Sequence, residues 1–543
     1  MTGGEAVAAT LEALGVTHVF GIVSVHNLPT YEALTRRGRI TVVRCRHEQG
    51  ATHAADGLAR ATGGLGVVLT STGPGAVNAM AGLYEAQFGS SPVLMITGQI
   101  ESRFLGKGKG FVHEAERQVE MLRTVTRRAE SVRRTEDIGW VLTMVADDVR
   151  TGRPQPGAVE IPIDLQYAAA EVEIPAAHPV APLTPDADAL ARAAELLEEA
   201  ARPLIWAGGG VISAGASAEL TALAEKIQAP VLTSIEGRGS LPEDHPLCLG
   251  PRTDRTTMSQ VIADADVVLA VGTRFQNYAT RVWQVRIPGA LIHLDADPSV
   301  IGRNYPADAP VVGDARVGLA GLLAAVSAKR GDPGYLEAAA KALEADLEQS
   351  WIETGPDHRS VVGIVRRLLP RDGIVVRDST VPNYIWGNRV LPILEPRTAI
   401  RPSSVAIGPG VPLALGAAVG TGRRTIVIQG DGGLQLSIGE LATIAEYQLP
   451  VVVCVFNDRG YGVLRIIEDA VMERRFGVDL HTPDFVKVAE GMGLAAEAVK
   501  GVSAFEAAFA RALERPGPTL LDIDQESLAP LSFPLPAHQR RRA

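Results

Sequence analysis

Cysteine is scarce in this 543-residue chain: only Cys45, Cys248 and Cys454 occur, far apart, and the first and last sit inside apolar runs. That spacing excludes both a disulfide framework and a zinc-ligand pattern, and it fits a reducing compartment. No apolar run approaches the roughly 20 residues that a bilayer-spanning helix needs. The opening segment, MTGGEAVAATLEALGV, lacks a basic stretch ahead of an apolar core, so it does not read as a secretory signal. Positive charge is also in short supply. The formal charge of −10 removes the electrostatic reason to bind nucleic acid or an anionic membrane. Arg540–Arg541–Arg542, the one notable basic run, reads as a solvated tail. These absences predict a cytoplasmic protein that meets neither nucleic acid nor membrane.

What the chain does have is alternation. Short β-branched runs and alanine-rich helical stretches follow one another throughout, the pattern of α/β layers built on parallel sheets. At about 150 residues per domain, the length calls for three domains. In the first, strands are predicted over 17–22, 41–45, 66–70, 92–96 and 157–163, with a helix over 51–61. The proline- and alanine-rich stretch VEIPAAHPVAPLTPDAD then reads as a connection. A second unit has strands over 203–207, 231–233, 267–271 and 291–295 and ends near Lys329. A helical connection leads to the third, with strands over 373–376, 425–428, 450–456 and 519–523. The predicted fold class is α/β, with three doubly wound parallel-sheet domains spanning 1–170, 186–328 and 355–530.

The stretch 426–465, IVIQGDGGLQLSIGELATIAEYQLPVVVCVFNDRGYGVLR, carries the most information. A buried strand delivers Gly430, Asp431, Gly432 and Gly433 at its carboxyl end. A helix follows, with Ile438, Leu441, Ala442 and Ala445 on one face. A second buried strand then delivers Asn457, Asp458, Arg459, Gly460, Tyr461 and Gly462. Parallel α/β sheets bind ligands at such strand ends. Glycines let backbone amides come close to a diphosphate, and a helix amino terminus adds favourable partial charge. Asp431 and Asp458, 27 positions apart, can supply side-chain oxygens to Mg²⁺ or Ca²⁺, with the Gly460 carbonyl as a further ligand.

GDG followed at this distance by NDxGYG, between two apolar strands, resembles the thiamine diphosphate motif of the acetolactate synthase and 2-oxo acid decarboxylase superfamily. Many members have NN where this chain has Asn457–Asp458. The likeness covers nearly the whole chain. RHEQGA…ADGLAR, from Arg46, resembles the family's catalytic glutamate segment, and TSTGPGAVN (70–78) its pyrimidine-side loop. IHLDADP (292–298) resembles part of its middle domain, and AIGPGVPLALGA (406–417) the segment ahead of the metal motif.

The resemblance implies thiamine diphosphate and Mg²⁺ as cofactors, with Asp431, Asp458 and the main chain of Gly460 on the metal. It places Gly430, Gly432, Gly433, Tyr461, Gly462 and Val463 at the diphosphate, and Thr72, Gly73, Pro74 and Asn78 on the pyrimidine side. Ala406, Ile407 and Gly408 would contact the cofactor, Ile407 propping it in a bent conformation. Glu48 would bond the aminopyrimidine ring and promote its imino form. Read without the resemblance, Glu48 is a charge at a helix amino terminus, worth only about 0.3–1 kcal/mol, and Ile407 is core. The three domains become pyrimidine-binding, middle Rossmann-like and diphosphate-binding. The family also implies a homodimer or homotetramer in which Glu48 of one subunit meets Asp431 of another.

Acetolactate synthases carry an arginine after an RFDD-like segment and a tryptophan shortly after the metal motif. Here Tyr278 and Ile467 stand in those places, a departure that counts against biosynthetic acetolactate synthesis and against a bound FAD. His26 (in FGIVSVHNLP) and His113 (in FVHEAERQ) lie in loops that line the family's substrate site. Imidazole titrates near neutrality and suits proton delivery, so both are candidate catalytic residues; each reads equally well as a hydrogen-bonded loop residue. Arg465 can meet a substrate carboxylate or form a surface ion pair.

The function expected is decarboxylation of a 2-oxo acid, with the remaining fragment protonated to an aldehyde or joined to a second carbonyl compound. Three alternatives stand beside it. One is a lyase acting on a hydroxyacyl or diketone substrate, and another a catalytically silent cofactor-binding relative. The third, a nucleotide-linked oxidoreductase, draws on the glycines of AGGG (207–210). The tail 528–543 is read either as a cover for the pocket or as a frayed end.

Overall fold

The computed structural model describes residues 1–176 and 179–533. Among them, eighteen strands form three six-stranded, parallel sheets. The first sheet comprises β1 (His18–Gly21), β2 (Thr41–Arg44), β3 (Gly66–Thr70), β4 (Val93–Gln99), β5 (Arg128–Ser131) and β6 (Gly157–Pro162). Its order is β2-β1-β3-β4-β6-β5. The middle sheet holds β7 (Pro203–Ala207), β8 (Val231–Thr233), β9 (Cys248–Gly250), β10 (Val267–Val271), β11 (Ala290–Asp295) and β12 (Ala309–Val312) in the order β12-β11-β10-β7-β8-β9. The last holds β13 (Ile374–Arg377), β14 (Ala399–Ile400), β15 (Thr425–Gly430), β16 (Val451–Asn457), β17 (Ala495–Val499) and β18 (Thr519–Asp524) in the order β14-β13-β15-β16-β18-β17. The central strands are continuous apolar runs because helices cover both faces of each sheet. In β16, Val451–Phe456 are all buried.

The first and third units share one hydrophobic cluster, in which Ala51, Ala54 and Leu58 meet Leu413, Ala414 and Ala417. The helix Glu48–Thr62 crosses the helix Gly410–Thr421 there at close range. A Cβ on Gly57 would lie 2.1 Å from the Leu413 carbonyl oxygen, and one on Gly416 would lie 1.7 Å from that of Ala54. Two glycines therefore set how near the two domains approach, and alanine at either would force them apart. Polar contacts extend the junction, with Glu440 accepting the backbone N–H groups of Arg46 (3.0 Å) and His47 (3.1 Å).

The helical connection after Lys329 spans Pro333–Leu368 and is kinked at Gly355, which has φ of 71° and precedes Pro356. The described part of the tail, 528–533, runs along it. Ser532 N–H donates to the Glu353 carbonyl (2.8 Å), and the Phe533 ring lies 6.1 Å from that of Tyr384. The rest of the tail, 534–543, with its arginine run, lies outside the described residues. No helix among the described residues is long and apolar enough to cross a membrane.

Candidate active site

In the C-terminal sheet β13, β15 and β16 are neighbours and end side by side. After β15 the chain enters a short helix, Asp431–Gln435, and only after a turn the helix Glu440–Glu446. The sequence suggested one helix here. Gly433, Ser437 and Gly439 are poor helix formers, and the backbone breaks into two pieces.

Asp431 is fully buried. Its Oδ1 accepts the Asp458 N–H at 3.4 Å, and its Oδ2 accepts the Thr482 hydroxyl at 3.2 Å. Burial first, and the Asp431 charge second, push the Asp458 carboxyl up to about 7; burial raises Asp431 as well. Arg465, the cation that approaches, stays 3.9 Å from Asp458 Oδ2. Two carboxylates drawn together in a poorly solvated place need a compensating charge. No group of three or more His, Cys, Asp or Glu side chains gathers at a metal position among the described residues. Backbone oxygen, such as that of Gly460, is left to complete a hard-cation ligand set.

Asp458 lines a cavity together with Gly430, Gly432, Gly433, Gly460, Tyr461, Gly462 and Val463. A Cβ on Gly462 would fall 1.8 Å from Asp458 Oδ2, so a side chain there would displace the carboxylate. The loop is pinned from outside. Tyr461 N–H donates to the Val478 carbonyl (2.9 Å) and Leu480 N–H to that of Arg459 (3.3 Å). Arg465 does not reach for a substrate. Its guanidinium donates to the Asp458 carbonyl (3.0 Å) and the Arg459 carbonyl (3.1 Å), and it pairs with Asp479 at 2.9 Å. It holds the loop that carries Asp458.

Ile407 reaches the same cavity. The segment just after it is anchored at Asp378, whose carboxylate accepts N–H groups from Ser379 (2.5 Å), Gly408 (3.0 Å) and Gly410 (2.9 Å). Burial pushes that carboxyl up to about 6. Ser379 Oγ donates to the carbonyls of Val405 (3.1 Å) and Ala406 (3.0 Å). Sequence reasoning missed Asp378 and the cavity-lining residues Ser379, Thr380 and Val381. The available signal was their position directly after β13, at the same strand ends as the glycines.

In the first domain the carboxyl ends of β1, β2 and β3 gather the other candidates. Glu48 opens the helix Glu48–Thr62, capped by His47, whose Nδ1 accepts the Gln49 N–H at 3.1 Å. Asn78 Nδ2 donates to Glu48 Oε2 at 3.0 Å, and Pro74 starts the helix that carries Asn78. Gly73 N–H and the Thr72 hydroxyl donate to Gln118 Oε1, at 2.9 and 3.0 Å, tying the loop of His113 to this turn. The rings of His26 and His113 lie 5.2 Å apart, and the Ser71 hydroxyl sits 3.3 Å from His26 Nδ1. Burial, then His113, hold His26 below its ordinary value.

The residues lining the Asp458 cavity all come from the C-terminal third, so within one chain Glu48 does not share that cavity. A larger cavity, about 290 Å³, lies between the first and middle domains and is lined by Arg274, Gln276 and Tyr278 among others. The AGGG glycines border it, and their lack of side chains serves packing: a Cβ on Gly208 would lie 2.1 Å from the Gly272 carbonyl oxygen.

Residues 1–121, 190–322 and 382–523 match the N-terminal binding, central and C-terminal binding domains of thiamine pyrophosphate enzymes. The chain is 34% identical to a protein of Methanocaldococcus jannaschii named probable acetolactate synthase large subunit, covering 96% of this chain and 92% of that protein. It is 33% identical to one of Pseudomonas aeruginosa named probable 2-ketoarginine decarboxylase, covering 96% and 94%. A solved structure from Mycobacterium smegmatis, assigned as a thiamin diphosphate-dependent enzyme, superposes with a TM-score of 0.81 at 24% identity, over 96% of this chain and 99% of that one.

Proposed function

The chain belongs to the thiamine pyrophosphate enzymes, in the acetolactate synthase and 2-oxo acid decarboxylase superfamily, and from that premise we propose how its residues act. It is an acetolactate synthase-like enzyme that uses thiamine diphosphate on a C–C bond next to a carbonyl. We infer that its substrate is a 2-oxo acid, and that the product forms by protonation or by carboligation. The observation that carries this reading is the Asp431–Asp458 pair at two adjacent strand ends, Asp431 buried and Asp458 half-buried in a ring of glycines.

The donor set fits the group it would hold. Two carboxylates with a backbone oxygen suit Mg²⁺, and the glycines lining the cavity, Gly430, Gly432, Gly433, Gly460 and Gly462, leave backbone amides open to a diphosphate. When bound, thiamine diphosphate would supply a nucleophilic carbon and an electron sink for C–C bond cleavage next to a carbonyl. Asp431 and Asp458 hold the metal, and Ile407 supports the ring system from the cavity wall. Glu48, oriented by Asn78, exchanges a proton with the aminopyrimidine nitrogen. His26 and His113 move the proton that decides between aldehyde release and capture of a second carbonyl compound.

Glu48 and Asp431 do not share a cavity in one chain, and this supports a homodimer, or a tetramer of such dimers, with each site built from two subunits. The domain spans we assign are 1–170, 186–328 and 355–530. Tyr278 and Ile467 keep FAD out of the proposed cofactor set. A cytoplasmic location accords with the buried, unpaired cysteines.

Incubating the protein with thiamine diphosphate, Mg²⁺ and a panel of 2-oxo acids, with CO₂ and products followed by mass spectrometry, tests the reading. The panel includes pyruvate and an acid with a basic side chain. CO₂ from at least one acid is expected. Turnover of none, with the cofactor bound, would leave a lyase on a hydroxyacyl or diketone substrate as the better reading.

A further inference from the structure

Glu85 lies on the helix Pro74–Gly89, seven residues beyond Asn78 on the same helix as counted from the sequence, and it is fully buried. Two helical turns separate them, and at that height the Glu85 carboxylate meets the C-terminal domain. There it accepts the Ser403 N–H, the Ser404 N–H at 3.1 Å and the Ser404 hydroxyl. Arg60 supports it at 2.9 Å, and Arg60 also donates to the Arg401 carbonyl (2.7 Å) and to the Ser403 hydroxyl (3.1 Å). Burying an acid costs much unless it is paired and hydrogen-bonded, and the bonds that satisfy Glu85 tie it to this one short segment and to Arg60.

The segment it holds is unusual. Val405 has φ of 66°, a left-handed conformation that a β-branched residue rarely adopts. Such strain persists only where the surroundings over-determine it. The surroundings here are two clamps: Glu85 on the amino side of Val405, and Ser379 with Asp378 on its carboxyl side. Two residues further on, Ile407 projects into the cavity of Asp458.

We propose that Glu85 is a positioning residue for the cofactor: by fixing Ser403 and Ser404 it holds Val405 in its strained turn and so sets the height of Ile407 in the cavity. This rests on the reading of that cavity as the thiamine diphosphate site. Glu85 touches no part of the metal end, which Asp431 and Asp458 govern from other strands. Its loss should therefore affect recognition of the organic part of the cofactor and spare recognition of its diphosphate.

The test compares the full-length protein with E85Q and S404A by calorimetry with Mg²⁺, using thiamine diphosphate and inorganic diphosphate as separate ligands. Amide hydrogen exchange over 403–408 is followed in the ligand-free protein. E85Q is expected to weaken thiamine diphosphate binding by about ten-fold, to leave inorganic diphosphate binding unchanged, and to speed exchange at 403–408. S404A removes one of the three bonds and should shift the same quantities less; it carries the test if E85Q does not fold. Unchanged thiamine diphosphate affinity, or parallel loss of both ligands, would overturn the proposal. A wild-type protein that binds inorganic diphosphate but no thiamine diphosphate would instead overturn the cofactor reading, with the exchange data still judging the clamp.

Discussion

Asp458 presents its backbone N–H to the Asp431 carboxylate across the ends of two adjacent strands, so two acids 27 positions apart share one poorly solvated place. Burial and then the Asp431 charge push the Asp458 carboxyl up from its ordinary value to about 7. Because the folded value is raised, the contribution of this group to stability is present below about pH 4 and is lost as pH rises through 7. The melting temperature of the metal-free protein should fall between about pH 4 and 7. The rise produced by Mg²⁺ with thiamine diphosphate should grow over the same window, since the cation replaces the proton. In D458N the metal-free decline should be smaller and the ligand-induced rise lost. Differential scanning fluorimetry across that range reads both; a ligand-induced rise that shrinks with pH would contradict the assignment.

Glu48 and Asn78 separate binding from chemistry. E48Q should keep most of the thiamine diphosphate affinity, because the metal end is untouched, while CO₂ release falls by about 10²–10⁴-fold, the usual worth of a positioned acid–base group. N78A removes one hydrogen bond to the carboxylate and should cost about ten-fold. Steady-state rates beside calorimetric affinities check this. Equal loss of affinity and rate in E48Q would make it a structural residue.

Val405 offers a test in which stability and binding move in opposite directions. V405G relieves a strain worth roughly 1–3 kcal/mol and adds unfolded-chain entropy worth about 0.5–1 kcal/mol. The metal-free protein should therefore be as stable as wild type or more so, while thiamine diphosphate binds more weakly because Ile407 is no longer held. Denaturant unfolding and calorimetry give the two numbers. A protein both less stable and unchanged in affinity would show that the turn serves folding alone.

His26 sits below its ordinary value through burial and its neighbour His113, so the cationic form accumulates only under mildly acidic conditions. If His26 delivers the proton that releases aldehyde, the ratio of aldehyde to carboligation product should rise as pH falls. H26A should flatten that dependence. Chromatographic product analysis at several pH values decides it, and a pH-independent ratio in wild type would remove the role.

The architecture was largely legible because the central strands of parallel sheets are buried on both faces and write themselves as apolar runs. Five strands escaped: β5, β9, β12, β14 and β17, each at a sheet edge. Arg128–Ser131 reads RAES, and Ala399–Ile400 is only two residues, so neither carries a run to detect. In the site, Asp431, Asp458 and Glu48 stand at or just after the strand ends expected to bring them, and Ile407 reaches the same cavity as Asp458 from the loop ahead of the helix Gly410–Thr421. Thr482, in a loop, and Glu85, on a helix of the first domain, have no local pattern that marks them, whereas Asp378 had only its place directly after β13. Of the two readings of Arg465, the ion pair is present, with Asp479; its further bonds to the carbonyls of Asp458 and Arg459 have no local pattern that marks them.

The account turns on a site shared by two subunits, and mixing two inactive variants tests it most directly. E48Q and D431N are each expected to be inactive alone, since every site in either homodimer lacks one essential carboxyl. Unfolded together and reassembled in equal amounts, they form hybrids in which one site carries both substitutions and the other carries neither. CO₂ release should then return to about one quarter of the wild-type rate, as random pairing of a two-fold dimer requires. No recovery from correctly assembled hybrids would mean that Glu48 and Asp431 do not serve one site across subunits, and the account would fail.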